Sequence, residues 1–78
     1  MTRHEFTELL IFHGLRRVGD EWHGVTPAEL AERYSVPEGQ LRKWCGDWQK
    51  VGYYVPAPND LTGGYLTAWG RVKLKAAV

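Results

Sequence analysis

Apolar residues recur every three or four positions between Thr26 and Lys50, a spacing typical of helices that bury one face. Over residues 37–50 one side of such a helix is apolar, with Leu41, Trp44, Cys45 and Trp48. The opposite side is polar and contains two glycines; it comprises Gly39, Lys43, Gly46 and Lys50, flanked by Arg42 and Asp47. We therefore predict an amphipathic helix over residues 37–50.

The glycines of this polar face have two interpretations. A glycine inside a helix costs about 1 kcal/mol relative to alanine, so a close approach by another molecule would be a reason to keep it. Alternatively, Gly46 only weakens or ends a short helix before Asp47. The sequence leaves both open.

A second helix is predicted just before the first. Thr26, Pro27 and Glu29 form a capping box with proline at the first helical position, and the apolar side then carries Leu30, Ala31 and Tyr34. Ser35 and Glu38 repeat the capping spacing, and Pro37 disfavours helical geometry at Val36. The two helices should therefore meet at a sharp angle.

The N-terminus predicts another helix. Thr2 and Glu5 have the spacing of a capping box, and Gly14 or Gly19 would end the helix. Its apolar face holds Phe6, Leu9, Leu10 and His13, with Phe12 beside them. On such a face we interpret His13 as a core histidine rather than a ligand or base.

Strands are expected in two places. Residues 21–25 predict a short strand with Trp22 and Val25 turned inward, after a polar linker over 16–20. Residues 51–58 are expected to be extended, 59–64 to form a turn-rich loop, and 65–67 to return antiparallel as a hairpin. The last segment alternates like a strand over 71–75, but we favour a helix with Thr67 as N-cap and Trp69, Val72 and Ala76 inward.

The register of small and apolar residues resembles the helix-turn-helix motif: Leu30, Ala31, Tyr34, Val36, Leu41 and Trp44. The later run L-T-x-x-G-R-x-x-L over 66–74 resembles the end of the wing in winged helix-turn-helix regulators of the MarR and PadR types. One departure is Ser35, at a turn position usually held by glycine. The resemblance implies an α+β, mainly α fold. It would be a single winged domain over 1–78, with three helices, a two- to three-stranded hairpin wing and a short C-terminal helix.

Charge and cysteine content add limits. The net charge is only +1, yet residues 1–35 carry −2 and residues 36–78 carry +3. This is compatible either with one positive face or with ordinary scatter. A single cysteine excludes an intramolecular disulfide and fits the cytoplasm, and no apolar run approaches the length of a membrane span. The ten aromatic residues should form much of the core.

By the resemblance, the partner is double-stranded DNA and the 37–50 helix enters the major groove, as in a small sequence-specific transcriptional regulator. It implies base or backbone contacts by Gln40, Arg42 and Lys43, close backbone approach at Gly39 and Gly46, and phosphate contacts by Thr26, Lys50, Arg71, Lys73 and Lys75. Glu38 and Asp47 near this face, and Asp60, Leu61 and Thr62 in the wing, depart from a basic DNA surface.

Two alternatives stay open. One is a winged-helix protein-interaction module, for example a phage-borne or accessory adaptor or inhibitor, that uses the glycine-containing face or the tyrosine-rich hairpin. The other is an excisionase-like architectural DNA binder. A homodimer through residues 76–78 is compatible with either. No catalytic group, zinc site or cofactor motif is recognised, since the three histidines and Cys45 are scattered, so we do not expect an enzyme.

Overall fold

The structure is a computed structural model and describes residues 1–77. Over these residues the chain forms four helices and two antiparallel hairpins, an α+β arrangement with more helix than strand. The elements are α1 (Arg3–His13), β1 (Arg16–Val18), β2 (Glu21–His23), α2 (Pro27–Arg33), α3 (Glu38–Lys50), β3 (Tyr54–Ala57), β4 (Asp60–Leu66) and α4 (Ala68–Ala77). Val78, part of the predicted dimer surface, lies outside the described residues.

Helix α1 begins at the predicted capping box. The Thr2 hydroxyl accepts a hydrogen bond from the Glu5 backbone N–H at 3.1 Å, and the Glu5 carboxylate accepts one from the Thr2 N–H at 3.1 Å. The helix is capped by Gly14, and Phe6 and Leu10 are buried. His13 and Phe12 are exposed, so the prediction of a core histidine was wrong. Fewer residues on the apolar side of α1 are buried than the sequence pattern predicted.

The predicted N-cap of α2 is confirmed, with the Thr26 hydroxyl accepting from the Glu29 N–H at 3.2 Å and Pro27 at the first helical position. The capping box is only half formed, because within residues 1–77 the Glu29 carboxylate does not accept from the Thr26 N–H. Leu30 and Ala31 are buried. Tyr34, predicted on the same side, is exposed because it caps the C-terminus of α2 instead of continuing its buried face.

The turn between α2 and α3 has a left-handed residue. Ser35 has φ of 57°, its N–H bonds the Glu32 carbonyl at 3.4 Å, and the Val36 N–H bonds the Ala31 carbonyl at 2.8 Å. This pair of bonds is a Schellman motif with serine at the position that favours glycine. Ser35 therefore ends α2. The predicted Ser35–Glu38 capping box was wrong, because the N-cap of α3 is Pro37 and no side-chain hydrogen bond caps it.

Helix α3 supplies the centre of the core. Its predicted apolar side is confirmed, since Leu41, Trp44, Cys45 and Trp48 are all buried. The Trp44 ring lies 5.3 Å from the Phe6 ring, centroid to centroid, which joins α3 to α1. The helix continues through Gly46 to Lys50, so the interpretation in which Gly46 ends it was wrong.

The first hairpin was predicted only in part. β1 pairs with β2 through Arg16 opposite His23 and Val18 opposite Glu21, so most of the expected 16–20 linker is a strand. Gly19, at φ of 63°, lies in the turn. Trp22, expected to be inward, is exposed and packs against the Tyr65 ring at 4.9 Å. The contact with Tyr65 covers only part of the Trp22 ring, which remains 49% exposed.

The second hairpin has a shorter turn than expected. Only Pro58 and Asn59 connect β3 to β4, and most of the predicted 59–64 loop belongs to β4. An irregularity between Val55 and Ala57 absorbs the extra residues of β4. At this point the Tyr54 hydroxyl accepts a hydrogen bond from the Gly64 N–H at 2.7 Å. A buried side chain, rather than a local turn signal, therefore holds the strand.

The C-terminal segment is a helix, as favoured. The Thr67 hydroxyl accepts from the Gly70 N–H at 2.9 Å, which confirms Thr67 as the N-cap. The predicted inward face was wrong: Trp69, Val72 and Ala76 are exposed. Gly70 is buried against the backbone of Tyr53, which leaves no room for a Cβ atom and turns positions 70, 71 and 74 inward.

Candidate nucleic-acid interface

The outer face of α3 brings six of the predicted site residues together on one helix. The buried residues of α3 hold this helix against α1 and the β3–β4 hairpin, so its opposite side faces outward. The six residues, which we call the outer α3 face, are Gly39, Gln40, Arg42, Lys43, Gly46 and Lys50; Gly46 is half-buried and the others are exposed.

The two glycines of this face have no neighbours that require them. A Cβ atom built on Gly39 or Gly46 would meet nothing within 4 Å. Gly39 is the second residue of α3, where the cost of glycine is smallest, but Gly46 lies inside the helix. Gly46 therefore costs α3 about 1 kcal/mol relative to alanine with no compensating contact in residues 1–77.

The electrostatics of the outer α3 face are mixed. The Arg42 Nε atom lies 3.1 Å from the Glu38 carboxylate, and both side chains are exposed. An exposed pair of this kind contributes little stability, so an anion of higher charge can displace Glu38. Among residues 1–77, Lys43 and Lys50 take part in no salt bridge. These two lysines are therefore the cations of this face that are available to bind an anion.

Arg71, predicted to contact phosphate, has an internal partner. Its guanidinium donates to the Ile11 carbonyl at 2.5 Å and to the Gly14 carbonyl at 3.2 Å, which caps the C-terminus of α1. Burial, and secondarily the positive charge of Arg16, lowers the pKa of Arg71 from its usual value. Two of its five N–H donors are used inside the protein, at the end of α1 and away from the outer α3 face, so we do not include Arg71 in the interface.

The remaining predicted contacts lie on other elements. The Lys73 Nζ atom lies 4.4 Å from the centroid of the Trp69 ring on α4, a cation–π geometry. Lys75 is exposed on the same helix. Thr26 precedes α2, which has only seven residues, and its hydroxyl already accepts the Glu29 N–H. These residues are not on the outer α3 face.

The sequence analysis missed a pair of exposed apolar side chains. Phe12 on α1 and Val72 on α4 line one groove with Arg16, Arg71 and Lys75. The available signal was the position of Phe12, which stands beside the apolar stripe of α1 rather than on it. For Val72 no local signal existed, because the helical phase of α4 is set by Gly70 against Tyr53.

Comparison with protein-family models, curated proteins and solved structures found no match for this chain. Within residues 1–77, no helix has the length and apolar character that crossing a membrane requires. Over the same residues, no three His, Cys, Asp or Glu side chains lie together as metal ligands would.

Proposed function

We propose that this protein binds double-stranded DNA and that the outer α3 face enters the major groove. The observation that carries the proposal is Gly46, a glycine on the outward side of α3 at which an added Cβ atom would meet nothing within 4 Å. Lys43 and Lys50 stand on the same face, one turn before and after it. A glycine between two unpaired cations suits close approach of a phosphate backbone, which is negatively charged along its whole length.

The same face carries side chains that read base edges. Gln40 is exposed near the start of α3, and glutamine can form two hydrogen bonds with adenine. Arg42 and Lys43 suit guanine, and Arg42 would exchange its exposed Glu38 partner for the base. In helix-turn-helix proteins the N-terminal part of the second helix makes such contacts. The resemblance to winged helix-turn-helix regulators over residues 26–74 supports this orientation.

The tyrosine-rich hairpin supports protein binding less well than its sequence indicated. Tyr54 is buried and its hydroxyl bonds Gly64, while Tyr53 and Tyr65 are half-buried. A partner would find little exposed tyrosine there, although tyrosine is the residue type that protein interfaces favour. We therefore place DNA binding first.

The first test is fluorescence anisotropy of a labelled random-sequence duplex at two salt concentrations. Each phosphate contact contributes about 0.9 to the slope of log affinity against log salt. Lys43→Ala and Lys50→Ala should each weaken binding and reduce that slope by about 1. Arg17→Ala is the matched control, because it removes an exposed cation from the β1–β2 hairpin. Absence of low-salt binding by the folded wild type would refute the proposal.

Gly46→Ala provides a second, independent test. Because the added methyl group meets nothing, the variant should be more stable by about 1 kcal/mol in urea denaturation. The same methyl group should weaken DNA binding, since it stands where the backbone would approach. A variant that gains stability and keeps full affinity would remove Gly46 from the interface.

A further inference from the structure

Two side chains stand out among the large hydrophobic residues of the described chain. Phe12 is 69% exposed and Val72 is 65% exposed, the two highest values in this group over residues 1–77. Both line the same groove, of about 380 Å³, between the last turn of α1 and the middle of α4. Exposed apolar side chains that lie together, rather than scattered singly, mark candidate interaction sites.

The apolar surface extends along α4. Trp69, Val72 and Ala76 are spaced as one helical stripe, and all three are exposed. Ile11, half-buried at the end of α1, forms the other wall together with Phe12. The stripe therefore runs for about two helical turns beside the groove. This length suits a helix laid along it, as in helix-in-groove recognition.

The charged side chains that line the groove are cations. Among the described residues its lining contains Arg16, Arg71 and Lys75 and no carboxylate, whereas Glu5 and Glu8 lie on the other side of Phe12. Arg71 uses two of its five N–H donors on the carbonyls of α1, and its positive charge remains at the groove. Arg16 donates to the Phe12 carbonyl at 3.1 Å, which occupies only one nitrogen of a guanidinium with five N–H donors. The groove is therefore lined by apolar side chains and by cations.

The proximity of the two arginines supports this description. The charge of Arg16 contributes to lowering the pKa of Arg71, as expected for two like charges that lie close together. Repulsion of this kind is relieved by a bound anion. The structure offers no carboxylate of its own among the residues that line the groove.

We propose that the α1–α4 groove binds an acidic amphipathic helix of a partner protein. Its apolar residues would cover Phe12 and Val72, and its carboxylates would meet Arg16 and Lys75. This binding site shares no residue with the outer α3 face and does not depend on DNA binding. A protein with both surfaces would bring the partner to DNA.

Two other occupants fit the groove less well. In a two-fold symmetric dimer the same patch faces itself, so the cations of one copy would approach those of the other without an intervening acid. Nucleic acid would satisfy the cations but would leave Phe12 and Val72 against charged phosphate. An acidic amphipathic helix satisfies both the apolar side chains and the cations that line the groove.

The probe is a fluorescein-labelled 14-residue peptide with leucine at every third or fourth position and glutamate at most others. Its binding to the full chain is measured by anisotropy, and a second peptide has lysine in place of every glutamate. We expect the acidic peptide to bind at least about 10-fold more tightly, a difference of about 1.4 kcal/mol. Equal affinity for the two peptides, or no binding of the acidic one, would overturn the proposal.

Phe12→Ala and Val72→Ala should each weaken binding of the acidic peptide by about 10-fold or more, with unchanged circular dichroism because both side chains are exposed. Val18→Ala is the matched control, since Val18 is a 53% exposed valine at the other end of the β1–β2 hairpin. A loss as large for Val18→Ala would contradict the assignment. A second outcome would also contradict it: if the wild type dimerises in analytical ultracentrifugation and Val72→Ala abolishes the dimer, the groove binds a second copy of the chain.

Discussion

Ser35 holds the turn between α2 and α3 in a conformation that its side chain disfavours. At φ of 57° the Cβ atom of an L-residue is crowded by its own backbone, and glycine is the residue that avoids this cost. The two Schellman hydrogen bonds to Glu32 and Ala31 hold it there. The residue therefore stores a small strain at the point that sets the angle between the two helices.

Ser35→Gly should stabilise the protein. Relief of the left-handed strain exceeds the entropy that glycine loses on folding, and we expect a gain of about 0.5–1 kcal/mol in the free energy of unfolding. For a domain of this size that corresponds to about 2–8 °C in Tm. Thermal denaturation followed by circular dichroism measures it. Ser35→Val should lower Tm, because a β-branched side chain tolerates positive φ poorly, and a rise in Tm would contradict the strain.

Cys45 is a buried thiol next to Tyr54 in the core. Burial raises the pKa of Cys45 from 9.0 to about 12, although the Tyr54 hydroxyl acts in the opposite direction. Burial also raises the pKa of Tyr54. A neutral thiol at this position reacts slowly, since the thiolate is the nucleophile.

Stability should fall at alkaline pH because of Cys45. Above about pH 9 the unfolded chain releases the thiol proton while the folded protein keeps it, so the free energy of unfolding falls as pH rises from 9 towards 12. Tyr54 adds a loss of the same sign. Urea denaturation of wild type and Cys45→Ala at pH 7.5 and 10.5 measures the effect. The stability difference between them should shrink at the higher pH, and a constant difference would exclude the thiol as its source.

At the scale of elements, α1 and α4 are joined by Arg71. A side chain from α4 satisfies the Ile11 and Gly14 carbonyls at the end of α1, across 60 and 57 positions of sequence. These hydrogen bonds are charge-assisted and partly shielded from water, which makes them stronger than neutral surface bonds. Arg71 therefore stabilises the packing of the first helix against the last.

Arg71→Met should lower the free energy of unfolding by about 1.5–3 kcal/mol, since the carbonyls lose a charged partner while much of the aliphatic packing is kept. Urea denaturation measures this loss. Lys73→Met is the control on the same helix and should change stability by less than about 0.5 kcal/mol, because Lys73 is exposed. If Arg71→Met kept full stability but reduced the salt slope of DNA binding, Arg71 would be a phosphate contact after all.

At the scale of the whole molecule, the ten aromatic residues divide into three groups. Four are buried in the core, four are exposed and two are half-buried; they are Phe6, Trp44, Trp48 and Tyr54, then Phe12, Trp22, Tyr34 and Trp69, then Tyr53 and Tyr65. The expectation that aromatic residues form much of the core thus holds fully for four of the ten. The exposed group lies on α1, the β1–β2 hairpin, the end of α2 and α4.

Acrylamide quenching of tryptophan fluorescence should therefore resolve two populations in the native state. Trp22 and Trp69 should be quenched readily, and Trp44 and Trp48 should be protected until the protein unfolds. In a Trp22→Phe, Trp69→Phe double variant only the protected, blue-shifted emission should remain. Uniform quenching of all four residues in the native protein would contradict the observed core.

Much of the fold could be predicted wherever a local pattern decides it. The N-caps of α1, α2 and α4 are threonines whose hydroxyl accepts a hydrogen bond from the backbone N–H three residues later. All three N-cap residues were predicted. The buried face of α3 was predicted because four apolar residues share one side of a single helix. The grouping of the outer α3 face follows from the same periodicity.

The errors occur where a distant residue decides the outcome. The exposure of Trp22, for example, depends on whether another part of the chain covers the hairpin. The predicted inward face of α4 was wrong because Gly70 packs against the Tyr53 backbone. The periodicity of residues within α4 gives no information about that contact. The α1–α4 groove follows from that rotation and could not have been predicted.

By itself the sequence determined where the helices begin, which face of α3 is buried and which side chains its outer face presents, because these depend on spacing along a single helix. Only the tertiary structure decided the rotation of α4, the internal role of Arg71 and the exposure of Phe12 and Val72. Those features depend on contacts between elements that are far apart in the chain, such as α1 with α4. The free energy of that packing is a property of the assembled molecule rather than of any one segment.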